Sequence, residues 1–389
     1  MSSSLENARW LADQIVAWQS ASGGIDVRKC VYHAHTPLGK PSAYGQDIPW
    51  LARALYRAYD ATLDSRYKDA ADRYSVYFIA TMYGSAPTFA LGDALDPCFS
   101  EYRRHNPHED SLDDKARTLR DWILSNRTEN GNYFDVGYCW QDEAGEYIQG
   151  SDAAFSNDLS DVGRGLLFYG SFFDDKETLG HAVELARYFT REHVPGTLEG
   201  VWSSPLGTWV IGPRPAKGFE NVKEFSDAAG WGWTSYYASH YLMRLHDVID
   251  DDELKARIKD CCVSSMRWAF DACQFEDGAL GMSGRDDKWL GMTGLAILLH
   301  RELRAKGWLA GETAREYGPK VSRAFEWLLS RSGPETFPAD GYVAVTGATR
   351  PEPAWNTSWM IAIVLEALLV GADVRSAVEP VPAGGRDGL

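Results

Sequence analysis

Two kinds of helical segment alternate along the chain, and this alternation restricts the fold more than any other feature of the sequence. Six segments, beginning near Leu5, Arg66, Asp113, Glu177, Asp252 and Arg315, repeat apolar residues at helical spacing and carry polar residues on the opposite face. Their starts lie about 62 residues apart on average. Several of them place charged residues early and aromatic ones late, as in Trp10 and Trp18, Trp122, Tyr188 and Phe189, and Phe325 and Trp327. This is the pattern of a helix with one face on a core and the other in water.

Between them lie six segments of another character, roughly 47–62, 87–104, 157–173, 226–246, 287–304 and 355–370. Stretches such as Val162-Gly-Arg-Gly-Leu-Leu-Phe-Tyr-Gly-Ser and Leu290-Gly-Met-Thr-Gly-Leu-Ala-Ile-Leu-Leu are apolar nearly all round, so these helices are buried on more than one side. Each inner segment runs into a short polar turn, such as Phe173-Asp-Asp-Lys, and each outer one into a longer connection rich in Gly and aromatic residues, such as Asn130-Gly-Asn-Tyr-Phe. Short loops on one rim and long loops on the other describe a closed double ring. The expected fold is all-α, an (α/α)6 toroid or six-hairpin barrel. A single domain over 1–376 is followed by a Pro/Gly-rich, poorly ordered tail over 377–389. Short β-hairpins are expected in the long loops, at Glu199-Gly-Val-Trp and Thr208-Trp-Val-Ile. An open α-solenoid would instead show near-identical repeats of about 34–47 residues. Separate bundles would need a linker, and only Gly207 to Lys217 faintly resembles one.

Charge and composition narrow the function. Lys and Arg number 39 against 55 Asp and Glu, a net charge of −16, with no basic run to track phosphates or an anionic membrane. The apolar stretch Met360 to Leu369 is short and contains Glu366, so no membrane span is expected. The start lacks a secretory pattern, and the six cysteines include no Cys-x-x-Cys pair, which reads as reduced thiols in a cytoplasmic protein. No metal or cofactor is expected. His33-Ala-His35 has no accompanying ligand motif, and the run Asp250-Asp-Asp-Glu253, on the short-turn rim, reads as a helix cap.

Scaffolded loops concentrate binding and chemistry, so the long-loop rim is read together with the first turns of the inner helices. There stand Tyr44-Gly-Gln-Asp47, Asp152 to Asp161 with Asp158, Phe225-Ser-Asp227, Arg285-Asp-Asp-Lys-Trp289 and Trp355-Asn356-Thr-Ser-Trp359. Taken singly, each Asp reads first as a helix cap. Together, carboxylates converging on one cavity repel one another and raise at least one pKa, as an acid catalyst needs. Asp158 and Asp161 share a helix face, and a carboxylate pair is the minimum equipment for glycoside hydrolysis. The sequence holds 15 Trp, 19 Tyr and 15 Phe, and many of those at the rim, Trp231, Trp233, Trp289, Trp355, Tyr236 and Tyr237 among them, suit stacking on sugar rings.

Four stretches carry a resemblance to known enzymes: Ile48 to Ala71, Asp158 to Thr190, Gly230-Trp-Gly-Trp-Thr-Ser-Tyr-Tyr-Ala-Ser, and Asn356 to Leu369. In pattern they resemble the unsaturated glucuronyl and rhamnogalacturonyl hydrolases, glycoside hydrolase families 88 and 105, and their six-hairpin relatives. The resemblance implies the toroid and a sugar-active site. The family's catalytic aspartate falls on Leu159, between Asp158 and Asp161. Its Arg-Gly-Gln element is missing, and its His-Asp pair on the second inner helix is replaced by Asp93 and Asp96 as the available carboxylates.

The expected function is a glycoside hydrolase acting on an oligosaccharide, uronic-acid-containing ones included, as a monomer or homodimer. Asp158 or Asp161 is the expected general acid/base, with Asp227 or Asp47 as partner. Trp231, Trp233, Trp289 and Trp355 form the sugar platform with Tyr44, while Arg285 or Asn356 holds a carboxylate or hydroxyl. One alternative is a lyase abstracting a proton beside a uronate carboxyl through Tyr236 or Tyr237 and His240, which share a face. Another is a non-catalytic sugar-binding toroid, which requires no close carboxylate pair.

Overall fold

In the computed structural model of the chain, the described residues are 3–26, 47–84, 86–127, 140–141, 147–148, 156–194, 199–210, 232–281, 287–337, 342–344 and 358–376. The tail at 377–389 lies outside them. The helices coincide with the two alternating kinds of segment. The outer α1 (Ser4–Ala17) precedes the first hairpin, inner α2 (Ile48–Thr62) and outer α3 (Ser65–Thr81). Next, α4 (Thr88–Asp93) continues through a π-helical segment (Ala94–Phe99) into α5 (Ser100–His105), and outer α6 (Asp113–Ser125) follows. Inner α7 (Ser156–Phe172), α9 (Gly232–His246) and α11 (Leu290–Ala305) are followed by outer α8 (Lys176–Thr190), α10 (Asp252–Ala272) and α12 (Gly311–Arg331). Inner α13 (Ser358–Ser376) is last.

The inner helices form a closed ring. Each packs on its neighbours in the order α2, α4 with its π segment, α7, α9, α11 and α13, and α13 returns to α2. The outer helices lie in a second layer against them, and α1 docks chiefly on α13. The sixth hairpin is therefore made from the last and first helices, with no turn joining them. Buried aliphatic and aromatic side chains of both layers form one continuous core. No described helix is long and apolar enough to cross a membrane.

Local sequence explains most boundaries. On the short-turn rim, Asp64, Asp175 and Asp251 accept hydrogen bonds from the backbone amides of Arg66, Thr178 and Leu254, capping α3, α8 and α10. The acidic run at 250–253 thus includes the cap it was expected to be. Pro97 cannot continue a regular helix, and the backbone opens at Asp96 (φ −146°, ψ 111°), which splits the second inner segment. At the far ends of α1 and α10 one corner recurs. Gln19 and Gln274 each donate to the carbonyl four residues on, of Gly23 and Gly278, and to a carbonyl of the next outer helix, of Ala70 and Lys320. Gly23 and Gly278 adopt φ of +99° and +100°, which favours glycine.

Three antiparallel strand pairs occupy the long-loop side, as expected. They are β1 (Trp140–Gln141) with β2 (Tyr147–Ile148), β3 (Trp202–Ser203) with β4 (Thr208–Trp209), and β5 (Asp287–Trp289) with β6 (Tyr342–Ala344). The third pair is not a local hairpin: it joins the connections before α11 and α13, so residues 287–289 are strand where helix was expected. The β3–β4 hairpin is anchored by the Trp209 indole donating to the Phe189 carbonyl at 2.8 Å and by Ser156 Oγ, in the first turn of α7, donating to the Val210 carbonyl at 2.8 Å.

Inner helices α4 and α7 touch backbone to backbone. A Cβ added to Gly92 would lie 2.5 Å from the Asp161 carbonyl oxygen, and one added to Gly165 would lie 2.8 Å from that of Gly92. Two glycines thus bring Asp93 alongside Asp161. Gly92→Ala should destabilise the protein by about 1–3 kcal/mol through overpacking. Gly180→Ala, at an exposed position of α8 where an added Cβ meets nothing within 4 Å, should instead stabilise by up to about 1 kcal/mol. Urea midpoints of the two variants provide the check.

Candidate active site

A helix buried on most sides must pair any charge it carries, because an isolated buried ion costs several kcal/mol. On α7, Asp158, Asp161 and Arg164 follow one another at three-residue spacing and are all buried. Arg164 is 0% exposed. Its Nη2 donates to Asp161 Oδ1 at 2.5 Å and, across the glycine contact, to Asp93 Oδ1 at 2.9 Å. Its Nη1 lies 3.6 Å from Asp96 Oδ2. Asp96 is held further by Ser100 Oγ and by Arg244 Nη1 from α9, both of which donate to it.

Three carboxyl groups therefore face two guanidiniums. Burial pushes the Asp161 carboxyl up to about 6 even against the pull of Arg164. Burial, then the neighbouring charge of Asp161, raises Asp93 well above the usual range, with Arg164 opposing. At Asp96 burial acts in the same upward sense, but Arg244 and Arg164 outweigh it and hold the carboxyl well below the ordinary range. The proton that this cluster retains thus belongs to the Asp93–Asp161 pair, as in other carboxylate pairs that share a site.

Aromatic side chains from three further inner helices run beside this cluster. The Arg164 guanidinium lies over Trp50 of α2, 4.9 Å from the ring centroid. Trp50 meets the edge of Tyr237 of α9 at 4.8 Å, and Tyr237 stands 6.4 Å from Trp359 of α13, whose indole N–H donates to the Tyr237 hydroxyl. Burial and the nearby Asp161 raise the Tyr237 phenol above its ordinary pKa. Trp50, Asp158, Asp161, Tyr237 and Trp359 all belong to the first two turns of their helices. They therefore share the long-loop end of the ring.

A second charged group runs from Arg53 and Tyr236 further along the ring to His240, Glu302 and Glu366. Arg53 of α2 donates to the Tyr236 hydroxyl at 3.0 Å, pairs with Glu366 of α13 at 3.1 Å and approaches His240 Nε2 at 3.4 Å. His240 Nδ1 bonds Glu302 of α11 at 2.9 Å. Because a guanidinium only donates, His240 accepts at Nε2 and carries its proton on Nδ1. Burial lowers this imidazole to about 4 despite Glu302, so it is neutral. The Tyr236 hydroxyl is also bonded to Glu302, at 3.3 Å.

Of the residues expected from sequence, the structure brings Asp161 beside Asp93 on the shared Arg164 Nη2 and places Asp158 one turn nearer the rim, where Asn157 donates to it at 2.7 Å. Asp47 precedes α2, is buried, and makes no side-chain capping bond. Trp289 is buried, its backbone paired with Tyr342 across β5 and β6. Tyr44, Asp227, Trp231, Arg285, Trp355 and Asn356 lie outside the described residues, as does the side chain of Trp233. So do His33 and His35. Among the described residues no group of His, Cys, Asp and Glu is arranged to hold a metal. Arg164, Trp50 and the pairing role of Asp93 are not among the features expected from sequence. Their signal was available: a solitary Arg inside a Gly-rich apolar helix requires buried acids on the helices it faces.

No protein-family model matches the chain, and no curated protein matches it in sequence. Solved structures do match in fold. A possible member of the GH105 family from Salmonella enterica subsp. enterica serovar Paratyphi A superposes with a TM-score of 0.62 at 11% identity, covering 96% of this chain and 94% of that one. A glycosyl hydrolase family 88 protein from Bacteroides vulgatus gives 0.61 at 13% identity over 96% and 99%. A sugar epimerase from a ruminal bacterium gives 0.63 at 12% over 94% and 98%. At such identities the likeness shows the fold, an (α/α)6 toroid.

Replacing Arg164 by Leu removes the cation between two buried acids and should destabilise the protein by about 3–5 kcal/mol near neutral pH. Asp93 and Asp161, already raised, would then hold their protons to still higher pH in the folded state. The deficit should therefore shrink as pH falls towards 5 and grow as it rises. Urea unfolding at both ends of that range checks the sign.

Proposed function

We propose that the protein is a glycoside hydrolase that binds an oligosaccharide at the long-loop end of the ring. The observation that carries this reading is the Asp93–Asp161 pair on Arg164, bordered by Trp50, Tyr237 and Trp359. Hydrolysis of a glycosidic bond needs a carboxylic acid that still holds its proton near working pH, and burial supplies one. Asp161, the less deeply buried of the two, is the proton donor to the leaving oxygen. Asp93 shares its proton and Arg164 aligns both. Asp158 or Asp47, each on the first turn or cap of its helix, is the second carboxylate, which activates water or stabilises the charge developing on the sugar. Trp359 and Tyr237 present aromatic surface to the sugar face.

Elimination by Tyr and His is the competing chemistry. Its histidine would be His240, whose two ring nitrogens are engaged by Glu302 and Arg53. Its tyrosine would be Tyr236, tied to the same two residues, or Tyr237. This arrangement favours hydrolysis. A purely binding toroid has no use for a proton-sharing pair, and the neighbouring folds include GH105 and family 88 proteins.

Turnover of a panel of neutral and uronic-acid oligosaccharides, followed by product mass, tests the assignment. Hydrolysis adds one water, while elimination creates a double bond that absorbs in the ultraviolet. Asp161→Asn should lower kcat/KM by about 10²–10⁴-fold, and unchanged turnover would exclude Asp161 as the donor. Because the donor must be protonated, kcat/KM should fall as pH rises through about 6, where Asp161 ionises. Trp359→Ala should act mainly on KM.

A further inference from the structure

Arg244 stands outside the proposed chemistry, yet it completes the charge pattern beneath it. It lies in the last turn of α9, towards the short-turn end of the ring, with about a third of its side chain (36%) in solvent. From there it reaches inward to Asp96, which is 4% exposed and also faces Arg164 at 3.6 Å. We propose that Arg244 is a positioning residue that works through Asp96 to fix how the single guanidinium of Arg164 is divided between Asp161 and Asp93.

Arg164 has one nitrogen, Nη2, on both acids and the other, Nη1, within ion-pair distance of Asp96. Neutralised by Arg244 and bonded by Ser100, Asp96 has little demand left for Arg164. Without Arg244 it would draw Arg164 towards itself and away from the pair. Among the described residues, few other groups compete. Around the cluster, α7 adds Asp158, the π segment adds Cys98, and α9 adds Tyr237 and, close enough to feel the charge of Arg244, the neutral His240 held by Glu302. On α2, Arg53 is committed to Glu366, while α6 sends Arg120 to Asp175 and α3 sends Lys68 to Asp72. On α8, His181 faces Glu184.

The proposal rests on the hydrolase reading only where activity is the readout, so two measurements are paired. The first is the pH profile of kcat/KM for wild type, Arg244→Gln and Arg244→Lys on whichever oligosaccharide of the panel is hydrolysed fastest. Arg244→Gln should move the descending limb upward by about half to one pH unit, the order expected when one guanidinium leaves a carboxylate cluster. Arg244→Lys, which keeps the charge, should restore most of it. The second is a carbon-13 titration of labelled aspartate carboxyls in the same proteins, assigned with Asp93→Asn, Asp96→Asn and Asp161→Asn. It should show the Asp93–Asp161 midpoint rising in Arg244→Gln. The inference is overturned if that midpoint stays put, whether or not Asp96 takes up a proton, or if Gln and Lys shift the limb equally. Absence of turnover on every oligosaccharide would sink the hydrolase reading and leave the titration to decide this one.

Discussion

One buried guanidinium organises the centre of this ring. Arg164 has no contact with solvent, so its charge is tolerable only because acids on two helices converge on it and an aromatic ring lies beneath it. Those acids meet because Gly92 and Gly165 let α4 and α7 approach without side chains between them. Packing and electrostatics are therefore one constraint here. A methyl group in the contact would separate the backbones and leave an acid pair without its cation. An uncompensated charge would in turn weaken the helix contact. The interior is correspondingly intolerant of single changes and well suited to holding a proton where water would ordinarily remove it.

The fold was largely legible in the sequence because it rests on periodicity. Apolar residues at helical spacing on one face place the outer helices, near-continuous apolar runs with Gly and Ala place the inner ones, and the difference in connection length orients the ring. The misses have local causes. Residues 287–289 pair as a strand with a segment more than fifty positions away, a long-range contact that no local pattern announces. The second inner helix opens at Asp96 because Pro97 follows it, and α12 begins at Gly311 rather than near Arg315.

The site was legible only in part. Asp161 stands out as an acid at three-residue spacing from Asp158, but its partner, Asp93, lies almost seventy residues earlier on a weakly patterned segment. What joins them is a crossing of two helices in space, and spacing along one helix carries no information about it. Tyr236, Tyr237 and His240 illustrate the converse. They do share a stretch of α9, yet one turn along that helix separates two environments. Tyr237 borders the carboxylate pair and Trp359, while His240 is absorbed into a neutralised network with Arg53 and Glu302.

The hairpin formed by α13 and α1 is held by contact alone, and this bears on how the molecule comes into being. During synthesis α1 leaves the ribosome before the rest of the ring, with Ala8, Leu11, Ala12 and Ile15 on the face that will be buried. The helix it chiefly leans on, α13, arrives only after the rest of the ring. Until then the nascent chain is an arc whose two edges are unmatched, each internal hairpin supported by its neighbours as in a linear repeat array. Closure turns that arc into an object without ends, and its two edges gain the neighbours they lacked in a single event. The seam between α1 and α13 is thus the latch of the structure: the sixth inner helix completes the surroundings of α1.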